Sequence, residues 1–356
     1  MITNPLRIVV AMSGGVDSSV AAAILKNQGH DVIGVMMGLW SEPGTAGNLC
    51  CTPDAMALAR GIAAQLEIPF HTVDSKDIFH ENVVQFFIDS YLRGETPNPC
   101  VACNRRVRWD TLLAKADELG ASHIATGHYA RLRKNNTGKV QLLRGKDAQK
   151  DQSYVLHGLP QEKLAHTIFP LGELTKPEIR ELARQYKLPV AERPDSQDLC
   201  FVGGGDYRDF LQRHVPEVVH PGPIVTQDGK EIGQHEGLAF YTIGQRKGIG
   251  IAAPRPYYVL DKDISSNSLV VSTADDLGRD ELTTGEVNWI SGQNPNNPVR
   301  LLVKIRYKAQ DAFGTVSPLD DGRAHIQFEK PLRDITPGQA AVFYDGEICL
   351  GGGIIE

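Results

Sequence analysis

Two cysteines separated by two residues, Cys100 and Cys103, stand in a setting that favours thiol chemistry. The preceding residues 96–99 read Thr-Pro-Asn-Pro, a composition typical of a loop because proline cannot continue a helix. Residues 105–108 add three arginines just before a predicted helix. Neighbouring cations bias a thiol towards the thiolate, which is its nucleophilic form. We therefore predict that Cys103 lies in a loop and acts as a nucleophile.

A third cysteine, Cys200, precedes three glycines at residues 203–205. Glycine is conformationally permissive, so this composition predicts a mobile segment, and a mobile thiol suits sulfur delivery. Cys103 and Cys200 are therefore the predicted catalytic pair. An alternative stays open, because Cys100 and Cys103 could form half of a metal site. Together with Cys200 they could instead supply three ligands of an iron–sulfur cluster.

The other three of the six cysteines fit a structural role better. Cys349 lies in a predicted strand and is interpreted as a small, buried apolar residue, and the adjacent Cys50 and Cys51 are interpreted in the same way. The N-terminus shows no secretory signal pattern, and no apolar run approaches the roughly 20 residues of a membrane span. We therefore expect a cytoplasmic protein without structural disulfides.

Residues 13–19 read Ser-Gly-Gly-Val-Asp-Ser-Ser and follow a short apolar run. Gly14 and Gly15 allow a tight turn close to a ligand, and the backbone N–H groups that follow can form an anion site. Asp17 would repel phosphate unless a Mg²⁺ ion lay between them. The string lacks the lysine of the G-x-x-x-x-G-K-[ST] loop, and a structural β–α turn is the simpler alternative. The whole string favours a phosphate site.

The elements around this loop alternate between strand and helix. The apolar patterns predict strands at 7–11, 32–37, 70–73 and 123–126, and helices at 16–28, 56–66, 78–92, 112–119, 175–186 and 206–214. The alternation predicts an α/β domain with a parallel, Rossmann-like sheet that carries helices on both faces.

The last third of the chain has a different pattern. From residue 221 onwards it is rich in glycine, proline and aspartate, with short alternating runs such as 299–306. Asp-Gly pairs at 228–229 and 345–346 are hairpin turn signals. We predict two small, mainly β domains, the last a β-barrel. The predicted division is 1–205, 206–279 and 280–356.

The overall charge does not indicate a nucleic-acid-binding protein, because the net charge is −6 and the sequence pI about 6.0. The positive charge is nevertheless bunched, at 105–108, 131–134, 144–150 and 304–308. Each cluster alone is typical of a solvated face, and residues 304, 306 and 308 would alternate along one strand. Together the clusters are compatible with a polyanionic partner.

The chain resembles the tRNA-specific 2-thiouridylases, a family of the PP-loop ATP pyrophosphatase superfamily. The strings that carry the resemblance are residues 13–19, 96–104, 125–128 (Ala-Thr-Gly-His), 150–153 (Lys-Asp-Gln-Ser), 195–201, 242–250 and 337–353. They span the chain in the family's order, and their joint occurrence is specific. The resemblance implies a PP-loop, adenine nucleotide alpha hydrolase-like domain, a small central domain and a C-terminal β-barrel that contacts tRNA.

The resemblance also implies a reaction. ATP with Mg²⁺ adenylates the C2 oxygen of the wobble uridine U34 and releases diphosphate, which turns a poor leaving group into AMP. A persulfide on Cys200 then supplies sulfur, and Cys103 helps to release it and ends in a disulfide with Cys200. The base must be splayed out into a pocket. The implied partners are tRNAs with Lys-, Glu- and Gln-type anticodons and a protein that donates persulfide sulfur.

Site residues follow from the same resemblance. ATP would contact residues of the loop and of an adenine pocket: Ala11, Met12, Ser13, Gly14, Gly15, Val16, Asp17, Ser18, Met37 and Gly127. The target base would meet Asn98, Pro99 and Cys100. The tRNA would contact His128, Lys150, Asp151, Gln152, Arg306, Tyr307 and Gln339.

One departure from the family pattern concerns Cys100, where many members carry aspartate. A third thiol favours the alternative in which Cys100, Cys103 and Cys200 hold a [4Fe–4S] cluster that yields the same product. Two other functions stay open. Another PP-loop ATP pyrophosphatase would not need the paired cysteines, and a non-enzymatic nucleotide-binding module would bind ATP without splitting it.

Overall fold

The computed structural model of the chain describes residues 5–42, 52–194, 199–202 and 206–356. Cys50, Cys51 and the three glycines at 203–205 lie outside these ranges, and so do residues 195–198. What the sequence predicts for those residues stays a prediction. None of the helices in the described ranges combines the length and apolar character that crossing a membrane requires.

The first half of the chain forms a parallel sheet with helices around it. Its elements are β1 (Arg7–Ala11), α1 (Val16–Asn27), β2 (Asp31–Gly38), α2 (Pro53–Gln65), β3 (Phe70–Asp74), α3 (Lys76–Phe79), α4 (Phe86–Leu92), α5 (Pro99–Cys103), α6 (Trp109–Glu118), β4 (His123–Ala125), β5 (Ala130–Lys134), β6 (Val140–Arg144), α7 (Ser153–Leu156), α8 (Gln161–Ala165), β7 (Thr167–Ile168) and α9 (Lys176–Gln185). The strand order is β3-β2-β1-β4-β7, and all four pairings are parallel. The predicted α/β class is confirmed.

The short helices α7 and α8 were not predicted, and two predicted helices have other bounds or another form in the structure. The predicted helix 78–92 runs from α3 through a π-helical segment, His80–Gln85, into α4. The predicted helix 112–119 begins much earlier, because α5 continues through a second π-helical segment, Asn104–Arg108, into α6.

The prediction that Cys103 lies in a loop is therefore wrong, because Cys100 and Cys103 both belong to α5. The Asn98 side chain caps this helix by accepting hydrogen bonds from the backbone N–H groups of Cys100 (3.1 Å) and Val101 (3.3 Å). Pro99 occupies the first helical position, where its missing N–H is not needed. The Pro-Asn-Pro string starts a helix here as well as following the end of one.

The central part contains α10 (Tyr207–His214), β8 (Gly222–Thr226), β9 (Glu231–His235), β10 (Tyr258–Asp263) and β11 (Ser268–Ser272). Asp206 caps α10 by accepting the backbone N–H of Arg208. The four strands form a sheet in the order β10-β11-β8-β9. The predicted Asp-Gly turn joins β8 to β9, with Gly229 at φ +83°.

The C-terminal part is a second, larger sheet. Its strands are β12 (Arg279–Thr284), β13 (Asn288–Trp289), β14 (Val299–Lys304), β15 (Ala312–Pro318), β16 (Ala324–Leu332), β17 (Ala340–Asp345) and β18 (Ile348–Ile354). The order is β12-β16-β15-β14-β17-β18-β6-β5, with β13 also paired to β18. The hairpin β5–β6 from the first half thus extends this sheet, which the sequence did not predict. Cys349 pairs with Leu142 there and is buried, as predicted.

Candidate active site

A cavity of about 630 Å³ opens at the carboxyl ends of β1 and β4. The chain crosses from β1 to β2 and β3 on one side and continues to β4 and β7 on the other, so β1 and β4 flank the point where the strand order reverses. Ligands of open α/β sheets bind at such a point. The volume lies within the range of small-molecule sites.

The loop after β1 forms the floor of this cavity. Gly14 has φ +71°, and a Cβ there would lie 2.6 Å from the carbonyl oxygen of Ala55, so the tight turn requires glycine. Ser18 Oγ accepts the backbone N–H of Ser13 and donates to the carbonyl of Gly15, at 3.2 Å each. The loop leads directly into α1, whose first N–H groups have no intrahelical acceptor and favour an anion.

Asp17 is held by two partners from distant parts of the chain. Lys176 Nζ lies 2.7 Å and 2.9 Å from its two carboxylate oxygens, and the Tyr129 hydroxyl donates to Oδ1 at 2.7 Å. Lys176 is the first residue of α9, and its side chain is 11% exposed. A lysine therefore reaches the loop in space although the loop string has none.

Gly127 and His128 follow β4 and face the loop. A Cβ on Gly127 would lie 2.8 Å from the backbone nitrogen of Ser18, so the two segments are in close contact. Arg108 Nη1 donates to His128 Nε2 (3.3 Å), which leaves the proton on Nδ1 for a 2.7 Å bond to Thr126 Oγ1. Burial, and then the charge of Arg108, lower the pKa of His128 to about 3. His128 therefore lines the cavity as a neutral imidazole whose orientation is fixed by two hydrogen bonds.

Several residues that the resemblance assigns to tRNA lie along the same cavity. His128, Lys150, Gln152 and Tyr307 all line it, and so does Met37, which the resemblance assigns to the adenine pocket. Gln152 is fixed against Tyr129 by two bonds, one from its own backbone N–H (2.9 Å) and one from the N–H of Tyr129 to its Oε1 (3.0 Å). Tyr307 comes from the C-terminal part, so both halves of the chain build the cavity.

The structure places Cys103 and Cys200 in one apolar cluster. Cys103 is buried, and Cys200 is a half-buried residue packed against that cluster. Leu39 belongs to the cluster and also lines the cavity, and Met37 packs against it from the cavity side. Cys100 is exposed at the start of α5.

The predicted cluster ligands do not converge in this arrangement. Across the described ranges, which include Cys100, Cys103 and Cys200, no three His, Cys, Asp or Glu side chains come together as metal ligands. The described structure thus does not show Cys100, Cys103 and Cys200 grouped as ligands of one [4Fe–4S] cluster.

Other predicted contacts have structural partners within the chain. Gln339 Nε2 donates to the carbonyl of Thr96 (2.7 Å), so Gln339 supports the segment that leads to Asn98. Asp151 is buried and accepts the backbone N–H groups of Gly145 and Ser153, at 3.0 Å each. Neither residue lines the cavity.

Arg306 differs from its prediction. The sequence predicts that Arg306 alternates with Lys304 and Lys308 along one strand, but β14 ends at Lys304. The Arg306 guanidinium instead donates to the carbonyl of Ile243 (2.8 Å) and to Thr336 Oγ1, and burial lowers its pKa.

Sequence reasoning missed four residues of the site. Lys176 and Tyr129 hold Asp17, Arg108 holds His128, and Arg193 Nη1 donates to the carbonyl of Gly14 (2.8 Å). The one available signal was the Thr-Lys-Pro-Glu string at 175–178. It starts the predicted helix 175–186 and forms a capping box in the structure, but such a pattern indicates only where a helix begins.

Three family models match the chain in succession. Residues 6–204 match the tRNA methyl transferase HUP domain, residues 208–273 the tRNA methyl transferase PRC-barrel domain, and residues 279–355 the Aminomethyltransferase beta-barrel domain. The predicted order of an α/β domain, a small central domain and a β-barrel agrees with these matches.

Curated relatives are similar over nearly the whole chain. The tRNA-specific 2-thiouridylase MnmA of Moorella thermoacetica is 49% identical and covers 98% of this chain and 99% of its own. The proteins of the same name from Magnetococcus marinus and Symbiobacterium thermophilum are 48% and 46% identical, covering 99% and 98% of this chain and 99% and 92% of their own. With this coverage and identity, the chain belongs to the tRNA-specific 2-thiouridylase family.

Proposed function

We propose that this protein is an ATP-dependent tRNA-uridine 2-sulfurtransferase that acts in the cytoplasm on tRNAs with U34. The observation that carries the proposal is that the cavity beside the loop 13–19 adjoins the apolar cluster that contains Cys103 and Cys200. Met37 and Leu39 line the loop cavity and at the same time pack in the cluster of Cys103 and Cys200. A base activated in the cavity would therefore lie beside the sulfur-handling thiols.

The first step is adenylation of the uridine. The C2 oxygen attacks the α-phosphate of ATP, the bond to the β-phosphate breaks, and diphosphate leaves. The backbone N–H groups at the start of α1 stabilise the phosphates, and Gly127 keeps the loop in place. Asp17 is the one carboxylate among the described residues that line the cavity, and one carboxylate with phosphates suffices for Mg²⁺. When bound, Mg²⁺ would neutralise phosphate charge there.

The second step is sulfur transfer. The terminal sulfur of a Cys200 persulfide adds to C2, the C2–O bond breaks, and AMP leaves. The Cys103 thiolate then attacks the Cys200 sulfur, which frees the uridine sulfur and forms a Cys103–Cys200 disulfide. An external dithiol must return two electrons to that disulfide. A partner protein would then reload Cys200 with persulfide sulfur.

Burial of Cys103 suits this order of events. The buried Cys103 thiol is shielded from reagents in the solvent. It would react only when the Cys200 sulfur comes close to it. Asn98, Pro99 and Cys100 form the start of α5, where Cys100 is exposed, Asn98 is half-buried and Pro99 is buried. The splayed base would meet this segment at the exposed Cys100. Lys150 and Gln152 line the cavity and are the proposed contacts to the anticodon backbone.

The test uses unmodified tRNA, ATP, Mg²⁺ and a persulfide donor, with diphosphate release and 2-thiouridine measured in parallel. Wild type and the control Cys349→Ala should thiolate tRNA. Cys103→Ser and Cys200→Ser should release diphosphate without giving 2-thiouridine. Full thiolation by Cys103→Ser would overturn its proposed role in sulfur release. Diphosphate release by the wild type without any 2-thiouridine would favour another PP-loop enzyme, and ATP binding without diphosphate release would favour a non-enzymatic module.

The cluster alternative is tested on the same protein, purified without oxygen. Absence of iron with full activity would support the thiol pair. Bound iron, with activity lost on chelation and in Cys100→Ser, would make the three thiols cluster ligands and overturn their proposed roles.

A further inference from the structure

The loop at residues 13–19, called the PP loop from here on, contains an acidic residue, Asp17, at the place where the triphosphate is proposed to bind. Asp17 lines the cavity, and its side chain is 32% exposed. An uncompensated carboxylate beside a triphosphate would oppose binding, because like charges a few ångströms apart repel strongly at the low effective dielectric of a half-buried site. Mg²⁺ would offset this repulsion only when it is bound, whereas a cation of the protein itself would offset it at all times.

Lys176 supplies that charge. Its ammonium lies within 2.9 Å of both carboxylate oxygens, and Tyr129 fixes Oδ1 from another side. The lysine side chain is 11% exposed, so the ion pair is shielded from solvent better than a surface pair. The short bonds to both oxygens also fix the rotation of the carboxylate.

The position of Lys176 is itself held firmly. Its backbone N–H donates to Asp147 Oδ2 at 3.0 Å, and the capping box of α9 forms around it. Further along α9, Ile179 and Ala183 share one buried core with the apolar residues of α1. The helix that carries Lys176 and the helix that carries Asp17 are therefore fixed against each other.

Lys176 stands behind Asp17 with respect to the cavity. Asp17 and Tyr129 are among the lining residues, whereas Lys176 is not. A lysine that bound phosphate directly would be expected on the cavity wall, as Lys150 is.

We propose that Lys176 is a positioning residue for ATP, which neutralises and orients Asp17 from behind so that the PP loop accepts a polyphosphate. The inference deepens the proposed function and rests on it for the identity of the nucleotide. Its test needs neither tRNA nor sulfur, so failure of the thiolation assay and failure of this inference are distinguishable.

The experiment measures ATP binding by calorimetry at low salt, with EDTA present so that only the protein's own charges act. Lys176→Met should weaken binding by about tenfold or more, because Asp17 is left uncompensated. The double variant Asp17→Asn with Lys176→Met should recover to within about threefold of wild type, because both charges are gone. A direct contact of Lys176 with the phosphates, in contrast, would not be restored by the second substitution.

The matched control is Lys146→Met. Lys146 also pairs with the start of α9, at 3.3 Å from Glu178, but on the exposed surface, where such pairs contribute little. Its ATP affinity should stay within about twofold of wild type.

Two results would overturn the inference. If the Lys176→Met variant bound ATP as tightly as wild type, the charge of Lys176 would not be required for ATP binding. A double variant that binds at least about tenfold more weakly than wild type would assign Lys176 to the phosphates directly. If Lys176→Met alone does not fold, the double variant still decides the matter, since it buries no unpaired charge.

Discussion

Replacing Gly127 by alanine would push a methyl group into the backbone of the PP loop. The added Cβ would lie 2.8 Å from the nitrogen of Ser18 and 2.9 Å from the carbonyl carbon of Asp17. Ordinary contact begins at 3.4 Å, so the loop or the Gly127 segment must move by about 0.6 Å. Overpacking of this kind typically costs about 1–3 kcal/mol. Because the displaced atoms belong to the loop itself, we also expect ATP affinity to fall by about tenfold or more.

Urea unfolding and ATP titration calorimetry measure the two effects separately. The control is Gly61→Ala, on the exposed side of α2, where an added Cβ meets no heavy atom within 4 Å. That change should raise the free energy of unfolding by about 0.5–1 kcal/mol, because alanine is the better helix former, and leave ATP binding unchanged. If Gly127→Ala retained both the wild-type free energy of unfolding and the wild-type ATP affinity, the close contact with the loop would be refuted.

Asn98→Ala should lower the free energy of unfolding by about 1 kcal/mol, whereas Asn98→Ser keeps a capping oxygen and most of the stability; equal urea midpoints for the two variants would contradict the capping role. His128 stays neutral when folded, so the unfolded chain binds one more proton between pH 6.5 and about 3. The free energy of unfolding should therefore fall as the pH drops through that window, by at most about 1.4 kcal/mol per pH unit. His128→Gln should make the free energy of unfolding, measured with urea, less dependent on pH; an unchanged dependence would show that another group causes it. A maleimide at pH 8 should modify the exposed Cys100 first and Cys349 only after unfolding, because burial raises the pKa of Cys349 to about 12; peptide mass mapping that found both labelled at one rate would argue against that burial.

Local patterns predicted the α/β half well, because each signal there is contained within one element. The apolar run of β1, the glycine turn and the helix α1 are contiguous, and their positions agree with the structure to within a residue. The capping box and the Asp-Gly turns are equally local. Buried parallel strands read as continuous apolar runs, which makes them easy to find.

The Thr-Pro-Asn-Pro string shows where a local signal is ambiguous. Proline interrupts a helix in its interior but is favoured at its first position, and asparagine is both a loop residue and a strong cap. The structure uses the second meaning of each, so Cys103 is a helical, buried residue. Only the packing of α5 in the fold decides between the two.

Contacts between residues far apart along the chain could not be predicted from the sequence. The ion pair of Asp17 with Lys176 joins residues 159 positions apart, and no periodicity encodes such a pairing. The hairpin β5–β6 was not predicted, and its membership of the C-terminal sheet depends on the register of Cys349 against Leu142. Both features follow from how finished elements pack together.

The shared sheet has a consequence for the order in which the chain is made. Strand β6 leaves the ribosome about 200 residues before β18, its partner on the open side. During that interval the hairpin presents an unpaired edge, which is the feature that recruits other chains into aggregates. A chain that ends before β18 would keep this edge of β6 unpaired permanently. We therefore expect chains that end before β18 to aggregate more readily than the full-length chain.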